Sequence, residues 1–243
     1  MKTAKSAARK LCLFFLLIIL AVLIGFFVYA GTYYHADPSA AEALESDDRV
    51  TVAKTEYGWM FDGPSEEDVL VFYPGAKVEE TAYAPLLHLL AGRGIDVCMV
   101  KMPFRLAVLD MNRMDQIPET GRYTNCYIGG HSLGGAVAGI YASAHSGSVS
   151  GLILLAAYPT KDLSENLSVL SIYGSEDGVL NRVKAAAGKK YVHGVYTEYV
   201  IEGGNHALFG SYGIQKGDGK ALITPKKQWE ETADCIIDFI SSP

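Results

Sequence analysis

Residues 125–141 have the sequence NCYIGGHSLGGAVAGIY, and this stretch decides which fold the chain can adopt. It begins as a short apolar strand and continues as a helix rich in small apolar residues. Between strand and helix stands the pattern Gly130-x-Ser132-x-Gly134, in which a serine occupies a sharp turn. The chain closes so sharply only where the flanking residues lack side chains, which is why both glycines belong to the pattern. The stretch therefore predicts a nucleophile elbow with Ser132 as the nucleophile.

An elbow serine works with an acid and a histidine that come from later strands, in that order along the chain. Asp177 follows the predicted strand Ser168–Tyr173, and His206 follows the predicted strand Thr197–Ile201. Because the carboxyl ends of parallel strands open onto one crevice, we expect the three side chains to converge there. Ser132, Asp177 and His206 are therefore a candidate catalytic triad.

Other residues are alternatives for two of these roles. Glu176 directly precedes Asp177 and remains the second candidate for the acid. His131 adjoins the nucleophile, but its ring would have to fold back through the elbow, so we expect it to have a supporting or pocket role. The other histidines lie in helices, in a linker or at the wrong end of a strand, and are expected to be ordinary residues: His35, His88, His145 and His193.

Acyl chemistry at an elbow serine requires two backbone N–H groups that stabilise the charge on the attacked oxygen. Leu133 would supply one of them, because it follows the nucleophile at the start of the helix. The loop after the first parallel strand, Phe72–Lys77, would supply the other. Gly75 allows close backbone approach in this loop, so we expect Ala76 to be the second donor, with Lys77 as the alternative.

Short apolar runs alternate with helical stretches on both sides of the elbow. Several runs are apolar without alternation, which is typical of parallel strands covered on both faces. This order predicts an α/β fold with a mostly parallel central sheet, helices on both faces and right-handed crossovers. The predicted strands, of which the first two form an antiparallel start, are Val50–Ala53, Glu56–Phe61, Asp68–Tyr73, Asp96–Met102, Asn125–Ile128, Gly151–Ala156, Ser168–Tyr173 and Thr197–Ile201. The predicted helices span about 79–92, 105–115, 133–146, 179–188 and 226–241.

Residues 11–31 contain no charged residue and consist mainly of Leu, Ile, Phe and Val. At ~1.5 Å per residue, about 20 such residues cross the ~30 Å hydrocarbon core of a bilayer, so we predict a transmembrane signal-anchor. Residues 1–10 are basic, and residues 32–49, a predicted juxtamembrane tether, are acidic. The positive-inside rule then places residues 1–10 in the cytoplasm and the domain of residues 50–243 on the extracytoplasmic side of the cell membrane. A signal peptide cleaved near Ala30, which would secrete the domain, is the alternative.

Composition excludes several classes of protein. The 243 residues include 21 Lys and Arg against 27 Asp and Glu, which gives a formal net charge of −6. A nucleic-acid-binding protein needs a basic face that displaces counterions from phosphates, so no nucleic-acid partner is predicted. The four cysteines are too few and too scattered for a disulfide scaffold or a zinc site. The residues of the predicted site imply no metal and no organic cofactor.

From about residue 50 to residue 239 the chain resembles the α/β-hydrolase superfamily. Gly130–Gly135, Gly174–Asp177 and Gly203–His206 match the elbow, acid and histidine loops of that superfamily. The segments around and after the histidine are similar to those of a bacterial branch of hydrolases near the dienelactone-hydrolase-like members. The resemblance implies a serine hydrolase that cleaves a carboxylic ester or lactone through an acyl-enzyme, with a small ester or a lipid-like molecule as substrate.

Three segments qualify this resemblance. Tyr73-Pro74 stands where many esterases have His-Gly, although a backbone donor requires no particular side chain. Ala157–Leu167 is too short to hold the lid domain that larger members insert at this point. Pro103–Arg122 has an apolar face that would pack on the core or, alternatively, cover the substrate.

The same fold also allows a peptidase, a thioesterase, an acyltransferase or an exported binding module without turnover.

Overall fold

The computed structural model describes residues 2–242, with the side chains of residues 10–118 and 120–242. The chain divides after Tyr33 into two compact units. The first unit contains the helix α1 (Lys2–Gly31). Its apolar stretch Lys10–Gly31 has 22 residues and, among the described residues, is the one helix long and apolar enough to cross a membrane. This helix is therefore a candidate transmembrane span.

The second unit is built on an eight-stranded sheet with the strand order β1-β2-β4-β3-β5-β6-β7-β8. The strands are β1 (Thr51–Lys54), β2 (Gly58–Asp62), β3 (Asp68–Tyr73), β4 (Asp96–Val100), β5 (Asn125–His131), β6 (Gly151–Leu155), β7 (Ser168–Gly174) and β8 (Tyr196–Ile201). β2 pairs antiparallel with β1 and β4, and every later pair is parallel. The predicted fold class, a mostly parallel sheet with an antiparallel start, is confirmed.

Helices cover both faces of the sheet. The α-helices among the described residues of this unit are α2 (Ala84–Ala91), α3 (Leu133–Ala144), α4 (Arg182–Gly188) and α5 (Pro225–Ser241). α2 and α5 pack together on one face, where Leu70 and Phe72 of β3 join their core. α3 packs on the other face, where Val69 and Val71 of the same strand join a second core. Because β3 buries both faces, its sequence is apolar without alternation.

The segment from Pro103 to Arg122 does not contain the helix predicted over residues 105–115. It forms four short 3-10 turns, Pro103–Arg105, Ala107–Leu109, Arg113–Gln116 and Pro118–Arg122. Positive φ angles at Phe104 and Arg105 prevent an α-helix from forming at its start. The buried hydroxyl of Tyr73 then holds the segment, since it donates to the Met111 carbonyl and accepts from the Met114 N–H. Only some of its apolar side chains reach the core.

The globular unit starts at Tyr34, earlier than the predicted boundary at residue 50. The Tyr34 N–H donates to the Lys77 carbonyl at 2.7 Å, and the Asp37 N–H donates to the Ser211 carbonyl at 2.8 Å. Pro38–Leu44 forms a 3-10 helix that lies against α2. Its small apolar residues allow this close packing, so most of the predicted tether is part of the domain.

Candidate active site

Ser132 occupies the sharp turn between β5 and α3. Its backbone has φ 54° and ψ −122°, a conformation that costs free energy in a residue with a side chain. A Cβ atom on Gly130 would lie 2.4 Å from the Tyr73 carbonyl oxygen, and one on Gly134 would lie 2.2 Å from the same atom. Backbone atoms at these distances cannot yield, so both positions accept only glycine. The turn thus presents the serine at the carboxyl end of the sheet.

Asp177 and His206 form a buried pair next to this turn. The His206 Nδ1 atom lies 2.9 Å from Asp177 Oδ2, and the side chains are 1% and 0% exposed. Asp177 Oδ1 accepts two more hydrogen bonds, from the backbone N–H groups of Val179 and Leu180 at 2.8 and 2.7 Å. A carboxylate accepts hydrogen bonds, so the pairing assigns the imidazole proton to Nδ1 and leaves a lone pair on Nε2. Glu176, the alternative acid, instead accepts a bond from the Ser175 hydroxyl.

Ser132 and His206 line one cavity of about 270 Å³ at the carboxyl end of the sheet. His206 Nε2 is buried and has no hydrogen-bond partner among the described residues. The Ser132 side chain makes no capping bond to α3. The structure therefore places Ser132 and His206 at one cavity and pairs His206 with Asp177.

Leu133 and Ala76, the two predicted oxyanion donors, each have a backbone N–H group without a hydrogen-bond partner among the described residues. Leu133 is the first residue of α3, so its N–H lacks a partner within the helix. In the loop after β3, the Gly75 N–H donates to the Tyr83 hydroxyl and the Lys77 N–H donates to the Arg105 carbonyl. Among the described residues no hydrogen bond takes up the Ala76 N–H. Of the two candidate donors in this loop, the Lys77 N–H is already bonded, so Ala76 stays the predicted donor.

A buried network that the sequence did not indicate supports this loop. The Tyr83 hydroxyl lies 2.8 Å from His131 Nδ1 and accepts a bond from the Gly75 N–H. A Cβ atom on Gly75 would lie 2.7 Å from that hydroxyl, so a side chain there would displace the tyrosine. Burial, together with the nearby His206 ring 4.4 Å away, lowers the pKa of His131 well below its usual value and keeps it neutral. His131 thus lies next to His206 and Tyr83, in a position that suits the predicted supporting role.

The other histidines lie outside the cavity. His88 bonds to the Ala43 carbonyl and to Asp47, and His193 bonds to Asp162 on the surface. Within the described part of the chain, no group of three or more His, Cys, Asp or Glu side chains is arranged to hold a metal ion.

An eight-stranded, mostly parallel sheet with a serine on a strained strand-to-helix turn defines the α/β hydrolases as a class. Residues 69–230 match the Alpha/beta hydrolase family. That match covers more than half of the chain, so the protein belongs to this family.

Solved structures agree with the fold. TT1662 from Thermus thermophilus has a TM-score of 0.57 at 13% identity, over 80% of this chain and 100% of that protein. Est1E from Butyrivibrio proteoclasticus has a TM-score of 0.53 at 12% identity, over 80% and 100%. Dienelactone hydrolase from Anabaena variabilis has a TM-score of 0.55 at 10% identity, over 78% and 98%. No curated protein matches the sequence. At these identities the likeness shows the fold alone.

Proposed function

We propose that the protein is a serine hydrolase that cleaves a carboxylic ester or lactone through Ser132, His206 and Asp177. The observation that carries the proposal is the bond between Asp177 and His206 Nδ1, because it leaves Nε2 without a partner in a histidine that lines the same cavity as Ser132. A histidine held in this tautomer is the general base that an elbow serine requires.

The reaction proceeds in two acyl transfers. His206 Nε2 takes the hydroxyl proton while Ser132 Oγ attacks the carbonyl carbon, and the oxyanion accepts bonds from the N–H groups of Leu133 and Ala76. The imidazolium, stabilised by Asp177, then gives its proton to the departing alkoxide, and the acyl group stays on Ser132. Water, deprotonated by His206, then attacks the acyl carbon. The imidazolium returns that proton to Ser132 Oγ as its bond to the acyl carbon breaks, and the acid is released. The protons and the acyl group balance without any further reactant.

The names of similar structures support an ester or lactone as the substrate. They include a dienelactone hydrolase, a carboxylesterase from Bacillus subtilis and the enzyme Est1E with ferulic acid bound. A peptidase, a thioesterase or an acyltransferase would use the same acyl-enzyme with a different leaving group or acceptor. Product analysis distinguishes these reactions.

We also propose that the domain is exported and stays anchored to the cell membrane by α1. The basic residues before the apolar stretch and the acidic residues after it support an N-terminus in the cytoplasm and a catalytic domain on the extracytoplasmic side. Cleavage near Ala30 would release the same domain in soluble form.

A fluorophosphonate probe tests the proposed nucleophile. Such a probe phosphonylates a serine only where a neighbouring base activates it. We expect the full-length protein in detergent to be labelled at a single site, and peptide mapping by mass spectrometry to place the label on Ser132. Heat-denatured protein is the control and should not react. A folded protein that takes up no label would contradict the proposal and favour a binding module.

The cavity predicts a preference for short, uncharged acyl groups. At about 270 Å³ it lies at the lower end of ligand pockets, and it contains no Lys, Arg, Asp or Glu side chain. A larger cavity of about 410 Å³ lies beyond the histidine loop, but Ser132 does not line it, so it does not set the acyl length. We expect kcat/KM for p-nitrophenyl acetate to hexanoate to exceed that for the palmitate by at least about tenfold. Equal values along the series would contradict this interpretation of the cavity.

A further inference from the structure

Asp218, at the tip of the loop between His206 and α5, binds backbone N–H groups from both loops of the triad. Its Oδ1 atom accepts from the N–H of His206 at 3.2 Å and from the N–H of Gly178 at 3.1 Å. Its Oδ2 atom accepts from the N–H of Ala207 at 2.8 Å. A further bond from the N–H of Gly219 fixes the carboxylate itself. The half-buried Asp218 side chain thus connects Gly178, the residue after Asp177, with His206 and Ala207.

The backbone around Asp218 packs closely against the acid loop. A Cβ atom on Gly178 would lie 2.6 Å from the Gly217 carbonyl oxygen, and one on Gly219 would lie 2.0 Å from the Glu176 carbonyl oxygen. No side chain fits between the two loops at either point. The position of the Asp218 loop therefore determines where the backbone on either side of Asp177 lies.

The same loop also holds the histidine loop from outside. The Asn205 side chain donates to the Gly219 carbonyl at 2.8 Å, and the Leu222 N–H donates to the Gly203 carbonyl at 2.7 Å. Gln228 of α5 binds the backbone of Asn205 on the other side, through its amide oxygen and its amide nitrogen. The loop of His206 is therefore held between α5 and the Asp218 loop. Among these contacts, the Asp218 carboxylate is the one charged group that binds the His206 backbone.

We infer that Asp218 is a positioning residue that holds Asp177 and His206 at hydrogen-bonding distance, an inference that rests on the proposed function. Hydrogen bonds from N–H groups to a carboxylate are stronger than those between neutral partners. An amide in the same place has one acceptor oxygen and turns an NH₂ group toward at least one N–H donor. Asp218 does not line the cavity of Ser132, so it acts on the reaction only through the two triad residues.

The test is Asp218→Asn in the full-length protein, with p-nitrophenyl butyrate as substrate. A displacement of about 1 Å in a catalytic group costs up to about 100-fold in rate, so we expect kcat to fall by about 10- to 100-fold. KM should change by less than about twofold, because the residues that line the cavity are unchanged. The proton NMR signal of His206 Nδ1–H, identified by its loss in His206→Ala, should shift or broaden.

Two further variants keep the test independent of folding. Asp218→Glu keeps both carboxylate oxygens, and we expect its kcat to lie between those of the wild-type protein and Asp218→Asn. Asp162→Asn is the matched control, because Asp162 is exposed and bonds only to surface groups, and it should leave kcat and the NMR signal unchanged. Thermal unfolding of each variant shows which proteins are folded at the assay temperature.

The two readouts separate the inference from the proposed function. Unchanged kcat and an unchanged Nδ1 proton in folded Asp218→Asn would overturn the positioning role, even where Ser132 hydrolyses the ester. A wild-type protein without turnover whose Nδ1 proton still changes in Asp218→Asn would refute the proposed reaction alone and support the positioning of His206.

Discussion

Replacing Ser132 with alanine should lower kcat for ester hydrolysis by about 10⁶-fold, which is the loss that removal of a triad nucleophile causes elsewhere. Alanine has no oxygen to form the acyl-enzyme, so only the two N–H groups of the oxyanion hole remain to assist water. The residual rate should still exceed that in water, because these donors and the cavity are intact. The measurement is the initial rate with p-nitrophenyl acetate, with active sites counted by fluorophosphonate titration of the wild-type protein.

The loss of activity should occur without loss of the fold. The Ser132 side chain makes no capping bond to α3, and the residue lines a cavity, so we expect its removal to leave no buried group unsatisfied. The thermal unfolding midpoint should therefore stay close to that of the wild-type protein. Ser146→Ala, at an exposed serine just after α3, is the matched control and should keep full activity. More than a tenth of the wild-type rate in a pure Ser132→Ala preparation would contradict the assignment of the nucleophile.

The centre of the sheet is predictable from the sequence because strands β3, β4 and β6 bury both faces. β3 is predicted residue for residue, since its apolar run ends at the proline of the following turn. The segment from Pro103 to Arg122 is not predictable in the same way. Its apolar spacing matches a helix, but its conformation depends on the hydroxyl of Tyr73, which belongs to a different element. Tyr73 lies 38 residues before Met111 and 41 before Met114, the two residues that it binds. Local pattern carries no information about such a contact.

The candidate triad is predictable for a similar reason, because each residue follows a strand in the order that the elbow requires. The residues that hold the candidate triad in place are not predictable in this way. Asp218 stands in a Gly-Asp-Gly turn with no strand before it, and only the folded chain shows that it meets the loops of Asp177 and His206. Tyr83 looks like an ordinary residue at the start of a helix, yet its hydroxyl binds the loop after β3, where the second oxyanion donor is predicted. Spacing along the chain indicates the reacting groups better than the groups that hold them.

Asp177→Asn should lower kcat by about 10⁴-fold while the protein stays folded. The asparagine carbonyl would keep the two bonds from the N–H groups of Val179 and Leu180, because these donors fix which atom faces them. The amide NH₂ would then face His206 Nδ1, which is at present 2.9 Å from a carboxylate oxygen. Two donors cannot share this contact, so the imidazole proton would move to Nε2. With a proton on Nε2 the histidine has no lone pair for the Ser132 hydroxyl.

The neighbouring carboxylate provides the control that makes this prediction specific. Glu176→Gln removes a charge from the same loop, but its side chain bonds to Ser175 and not to the histidine. We expect this variant to keep kcat within about threefold of the wild-type value, as is usual for a change outside the reacting groups. Steady-state rates with p-nitrophenyl butyrate from pH 6 to pH 9 compare the two variants. A large loss in Glu176→Gln with little loss in Asp177→Asn would show that Glu176 is the acid, and that the pairing with His206 does not serve the reaction.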